Sequence, residues 1–143
     1  MRRPVADRTG MTDRSRRNSP YPPHALGRAG ERRAEMYLVR RGFRVLERNY
    51  RAGRREVDLI VEQAGLLVFV EVKTRSSQRW GGALHAVGPH KRREVEAVAR
   101  RYLLDRPHPR AGVRFDVVAI QGDPDAGDAG VVHIVDAWRP DRG

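Results

Sequence analysis

The residues with the clearest chemical content lie between Asp58 and Arg75. Asp58-Leu59-Ile60-Val61 leads into a polar break ending at Gly65, and Leu66-Leu67-Val68-Phe69-Val70-Glu71-Val72-Lys73-Thr74-Arg75 follows. The second run is apolar enough for a central strand covered on both faces, yet it carries Glu71 and Lys73 near its end. A carboxylate or amine buried there without a partner costs roughly several kcal/mol, so something must compensate it. A hairpin turning on Ala64-Gly65 sets Asp58 opposite Glu71 and Glu56 opposite Lys73. Opposed residues share a face with Cβ atoms about 5 Å apart, and so do residues i and i+2. Asp58, Glu71 and Lys73 are therefore expected on one patch, which a one-residue slip would disperse.

Two carboxylates held that close repel each other, and one tends to protonate unless a cation sits between them. Mg²⁺ (or Mn²⁺) suits such a pair, since Mg²⁺ takes hard oxygen ligands from one or two carboxylates plus a substrate phosphate. Asp58 and Glu71 are the candidate metal ligands, with the Val72 carbonyl as a further donor. A metal there activates water and neutralises phosphate charge, and Lys73 can orient that water or stabilise the developing charge as a point cation. This is the chemistry of phosphodiester hydrolysis. The plainer alternative is a set of strand-end ion pairs among Glu56, Asp58, Glu71 and Lys73. Composition favours the chemical reading: of 29 Lys plus Arg, only Lys73 and Lys91 are lysines. A compact amine stands where one is wanted, and Lys91 is singled out by the same argument.

Beyond this patch, Gly27-x-x-Gly30-Glu31-x-x-Ala34, Glu56-Val57-Asp58-Leu59-Ile60, Phe69-Val70-Glu71-Val72-Lys73-Thr74-Arg75, Lys91 and Arg114-Phe115-Asp116 stand in a specific order. Together they resemble the YraN-like family of small bacterial proteins, over roughly Leu26 to Ile120. That family is similar to the Holliday-junction-resolvase branch of the restriction-endonuclease-like, PD-(D/E)xK nucleases. The resemblance implies catalytic positions for Asp58, Glu71 and Lys73, with Glu31 at the helical acidic position as auxiliary ligand or base. It also implies the strand order of the restriction-endonuclease-like core, branched DNA among the substrates, and a homodimer. One departure touches the turn before the first acid: the family has Gly-Glu-Ile-Asp, whereas Arg55 precedes Glu56 here.

The chain of 143 residues suits one domain, and its net charge of +11 is the electrostatic footprint of a nucleic-acid binder. DNA is the expected partner, and Arg28, Arg54, Arg55, Arg75, Lys91 and Arg92 are the candidates for phosphate contacts. A genome biased toward arginine would raise the charge without any such role. There is no cysteine, hence neither a disulfide framework nor a thiolate zinc site. No apolar stretch reaches membrane-spanning length, and the Arg-rich N-terminus lacks a hydrophobic signal region, so a cytoplasmic protein is expected.

The elements that must position the patch can also be read. Residues 1–25 are basic and Pro-containing and read as a disordered arm, 26–138 as the nuclease-like domain, and 139–143 as a tail. Gly27–Arg41 has a helical stripe of Ala34, Tyr37 and Leu38, which brings Glu31 into the first turns, where a favourable dipole is the bland alternative to a metal or water contact. Phe43–Tyr50 alternates as a strand, and Arg51–Arg55 is a basic turn around Gly53. Ser76–Pro89, with Trp80 and His85, reads as an irregular substrate loop. His90–Asp105 carries the helical set Val95, Val98, Ala99, Tyr102 and Leu103. Val113–Gln121 and Val131–Trp138 are strands, with Asp116 a buried acid expected to pair with Arg114. The expected fold is α/β: a restriction-endonuclease-like single domain with a mixed sheet of about five strands flanked by helices. The leading function is a Mg²⁺-dependent DNA endonuclease. The alternatives are a non-catalytic nucleic-acid-binding protein on the same fold and a protein-interaction module.

Overall fold

The structure is a computed structural model that describes residues 23–75, 87–107, 111–121 and 128–141. Trp80 and His85 and most of the expected substrate loop lie outside the described residues, as do residues 1–22 of the expected arm. The elements run α1 (Pro23–Arg40), β1 (Arg44–Ala52), β2 (Arg55–Gln63), β3 (Leu66–Arg75), α2 (Pro89–Asp105), β4 (Gly112–Gln121) and β5 (Val131–Trp138). They form an α/β domain with one five-stranded mixed sheet in the order β1-β2-β3-β4-β5. Three neighbouring pairs are antiparallel, and β3 and β4 are parallel. A parallel pair needs a crossover, and α2 supplies it.

Two apolar layers follow from strand alternation. Leu59, Val61, Val68, Val70, Val118 and Ile120 meet Ala34, Tyr37 and Leu38 of α1. Ile60, Leu67, Phe69, Phe115 and Val117 meet Val95, Val98, Ala99 and Tyr102 of α2 on the other face. The helical stripes read from the sequence are the buried ones. The first strand is less regular, with a register shift between Val45 and Glu47, while Val45 and Leu46 pack on opposite layers as strand alternation requires.

Two boundaries differ from the sequence reading. Helix α1 begins at Pro23, within the segment expected as the arm, because proline is well suited to a first helical turn. Glu31 consequently lies more than two turns into α1, beyond the reach of a favourable N-terminal dipole. The departure at Arg55 is absorbed by the turn ahead of it. Gly53, at φ 65°, adopts the left-handed conformation and Arg55 simply opens β2.

Asp116 is fully buried and paired on every side. Arg114 donates to both carboxylate oxygens at 2.8 Å, His133 Nε2 lies 2.7 Å away, and the Asp136 N–H donates at 3.0 Å. Burial alone would raise its pKa, but these partners hold it below the usual carboxylate value. The network pins β5 across the register shift between Phe115 and Val117, which is a structural role.

Helix α1 approaches β3 most closely at Gly30, where an added Cβ would overlap Thr74 Oγ1. That contact fixes the height of Glu31, the next residue, over the end of β3. An alanine in mid-helix ordinarily gains up to about 1 kcal/mol over glycine, whereas overpacking costs about 1–3 kcal/mol. Gly30→Ala should therefore lose about 1 kcal/mol in urea unfolding. In a Thr74→Ala background the same change should be neutral or stabilising. A gain from Gly30→Ala alone would refute the close packing.

Candidate active site

The hairpin register is the one that brings the acids together. Gln63 pairs with Leu66 and the ladder runs back to Leu59 and Val70. Ala64 at φ 50° and Gly65 at φ 79° make the two-residue turn with the twist that antiparallel strands prefer. One step beyond Leu59 and Val70 come Asp58 and Glu71, and there side chains take over from the ladder. Asp58 Oδ2 accepts the Val72 N–H at 2.8 Å, and Glu71 Oε1 accepts the Asp58 N–H at 3.3 Å. Each carboxylate is thus tied to the other's strand.

The neighbouring hairpin turns over at the same point. Arg48 bonds Glu35 of α1, but Tyr50, two residues later, packs edge-on against Tyr102 of α2. On β2, Leu59 belongs to the α1 layer and Val57 to the α2 layer. Residues i and i+2 share a face in a regular strand, so the backbone must twist between them. The residues in between are Asn49, at φ 48°, and Asp58. Asparagine tolerates this left-handed geometry better than most residues. The twist lets Asp58 address both layers: Glu71 with the two lysines on the α2 side, and Glu31 on the α1 side. The Asn49 side chain lines the same small pocket as Glu31 and favours its charged form.

The electrostatics follow from burial. Glu71 is 1% exposed, and its pKa is raised well above the ordinary value by burial and by Asp58, against the pull of Lys91 and Lys73. Burial also raises Asp58, although the Val72 N–H and the two lysines oppose it. Glu31 is raised by burial and by Asp58, with the Asn49 side chain working the other way. Lys91 holds its proton more tightly than usual: burial works against the charge, but Glu71 and Glu94 outweigh it. Three acids inclined to keep their protons and two amines therefore meet at one sheet end. The chemistry such a group can do is to take up a cation and an oxyanion together.

The amines open into a cleft of about 1150 Å³ lined by Arg51, Arg54, Arg55, Glu56, Lys73, His90, Lys91, Arg93, Glu94 and Arg100. Of the residues expected to contact phosphate, Arg54, Arg55 and Lys91 line it. Lys91 is turned inward, 3.9 Å from Glu71 Oε2 and 3.1 Å from Glu94 Oε2. Arg28 lines a separate pocket of about 190 Å³ with Glu31 and Asn49. Arg92 ties its Nε to the Val87 carbonyl and sets its guanidinium 5.7 Å from the Trp138 ring centroid. Arg75 closes β3 opposite Gln121. Glu56 does not bond Lys73; its carboxylate takes Arg51 at 2.9 Å and its N–H donates to Glu94. Asn49, Glu94 and Arg100 were not singled out in the sequence. Only Arg100 left a signal there, on the helical face it shares with Arg93.

Among the described residues, no three His, Cys, Asp or Glu side chains form a group able to hold a metal by themselves. The donor set is two carboxylates, which matches an ion that keeps its remaining positions for water and substrate phosphate. No helix among the described residues is long and apolar enough to cross a membrane.

Comparison with known proteins fixes the family. Residues 30–120 match the model of the uncharacterised protein family UPF0102, and the chain belongs to that family. This agrees with the resemblance to YraN-like small bacterial proteins. A UPF0102 protein of Chlorobium phaeobacteroides (strain BS1) is 48% identical over 100 residues, covering 70% of this chain and 79% of its own. One from Anaeromyxobacter dehalogenans is 45% identical over 118 residues, covering 82% and 86%. Among solved structures, Pyrococcus furiosus SfsA in complex with Ca²⁺ is similar at a TM-score of 0.32 and 14% identity. That match covers 78% of this chain and 62% of SfsA.

The pH dependence of stability tests the buried acid. A carboxyl whose folded pKa is raised contributes stability that is complete below its unfolded pKa and is lost as pH rises through the folded value. In chelator-treated protein, Glu71→Gln should be more stable than wild type at pH 8, and the difference should close as pH falls toward 4.5, the ordinary value. Denaturant unfolding across that range measures it. A deficit at pH 8 that grows with pH would mean that Glu71 is stabilised as the anion.

Proposed function

We propose that this protein is a divalent-metal-dependent nuclease acting on DNA, with Asp58 and Glu71 as metal ligands. The observation that carries the reading is the Asp58–Glu71 pair, interlocked through backbone amides and set beside both of the chain's lysines, which line a basic cleft. Mg²⁺ or Mn²⁺ bound there would supply an activated water and neutralise charge on the scissile phosphate. The chain's own residues divide the remaining work. Lys73 is partly exposed at the cleft, where its ammonium can hold the attacking water and stabilise the developing oxyanion. Glu31, inclined to take a proton, serves as base or auxiliary ligand through Asp58. Arg51, Arg54, Arg55, Arg93 and Arg100 hold the substrate backbone by phosphate contacts, which carry no base readout. Shape then decides the substrate, which favours branched DNA. A homodimer belongs to this reading, since cutting both strands at a junction takes two sites.

A second reading, a nucleic-acid-binding protein without catalysis, is favoured by the absence of a three-residue metal-holding group among the described residues. One experiment separates the two. Labelled linear, flapped and four-way DNA is incubated with Mg²⁺ or Mn²⁺ and wild type, Glu71→Gln or Lys73→Ala. Wild type should cleave at least one substrate, and each variant should lose about 10²-fold or more in rate, the scale of a charge-stabilising group, while still binding DNA. Arg100→Ala should lower the slope of log affinity against log salt by about 1. Cleavage that survives in both variants would remove these residues from the mechanism. Salt-sensitive binding without cleavage in any protein would establish the second reading.

A further inference from the structure

Lys73 and Lys91 are the only lysines among 29 basic residues, and both bear on Asp58 and Glu71. Lys73 comes from the same strand as Glu71, whereas Lys91 is brought by the first turn of α2. A cation in a helix's first turn opposes the dipole, and that turn contains no acidic residue to offset it. Carboxylates from outside the turn compensate instead. The Lys91 ammonium donates to Glu94 Oε2 at 3.1 Å and to the Glu56 carbonyl at 3.1 Å. It stands 3.9 Å from Glu71 Oε2, too far for a hydrogen bond but close enough for its charge to act. Glu94 is itself fixed, because its other oxygen accepts the Glu56 N–H at 3.3 Å. The amine is thus held at the buried carboxylate without being bonded to it.

Resting on the metal-dependent reading, we infer that Lys91 is the site's internal counter-ion. Its ammonium offsets the Glu71 charge when that buried carboxyl ionises, ahead of any divalent cation, and the Glu94 carboxylate and Glu56 carbonyl keep it in place once one binds. Cation binding must then work against a positive charge already present. The Lys91–Glu94 pair therefore sets metal affinity, and Lys91 is a positioning residue that touches neither substrate nor metal. A guanidinium, with five donors in a rigid fork, would not fill the same role, and this accounts for lysine in a chain that otherwise chooses arginine.

The test is calorimetric titration of the full chain with MnCl₂, alongside thermal melts with and without the ion, for wild type, Lys91→Met and Glu94→Gln. Lys91→Met should bind Mn²⁺ on the order of tenfold more tightly, because a nearby like charge is gone. It should also melt lower without metal and show the larger metal-induced rise. Glu94→Gln should bind Mn²⁺ more weakly, since it releases Lys91 toward Glu71. If wild type binds Mn²⁺ and Lys91→Met binds no more tightly, the inference fails and the metal site stands. If Lys91→Met does not fold, unchanged affinity in Glu94→Gln overturns it equally. If wild type itself does not bind, the metal reading fails and takes the inference with it.

Discussion

Glu71 stands in the middle strand of a five-stranded sheet with 1% of its surface exposed, and the structure around it is arranged to make that tolerable. A lone buried carboxylate would cost several kcal/mol, roughly, or remain neutral. Here one oxygen takes the Asp58 amide and the other faces Lys91. Asp58 in turn takes the Val72 amide. These bonds are possible only because the β2–β3 ladder gives way to side chains at this point. A sheet end that would otherwise be plain ladder becomes a place where charge is stored.

The helices are placed by the same constraint. Helix α1 lies close on β3 because position 30 is glycine, and this brings Glu31 near Asp58. Helix α2 crosses the other face with Lys91 and Glu94 in its opening turns against β2 and Glu71. The left-handed Asn49 twists β1 so that Asp58 serves both sides. The buried Arg114–Asp116–His133 network holds β5 across its register shift. The last of these is the bland use of a buried acid, with every oxygen paired and the proton affinity lowered. Glu71 is the contrast: its proton affinity is raised, and its compensation comes from groups that are shared with others.

Much of this was legible in the sequence because the hairpin obeys simple rules. Two apolar runs separated by Ala64-Gly65 have essentially one register, and that register sets Asp58 beside Glu71. The helical stripes around Leu38 and Val98 told which faces are buried. What periodicity could not tell is where regularity stops. A single left-handed residue, Asn49, exchanges the two faces of a strand, and nothing in an alternating pattern marks it. Nor does a helical stripe reveal which carboxylate its first turn will meet. Lys91 lines the basic cleft and also faces Glu71 and Glu94, because the path of α2 across the sheet depends on packing far from that turn. Glu31 needed the family resemblance to be noticed at all.

The most direct measurement follows backbone amides by NMR in the isotope-labelled full chain while Mn²⁺ is added below stoichiometry. A paramagnetic ion held by Asp58 and Glu71 should broaden the amides of Asp58, Glu71 and Val72 first, and Glu71→Gln should abolish the effect. Broadening centred on exposed acids such as Asp105 or Asp128, or no selective broadening, would contradict a metal site at the hairpin.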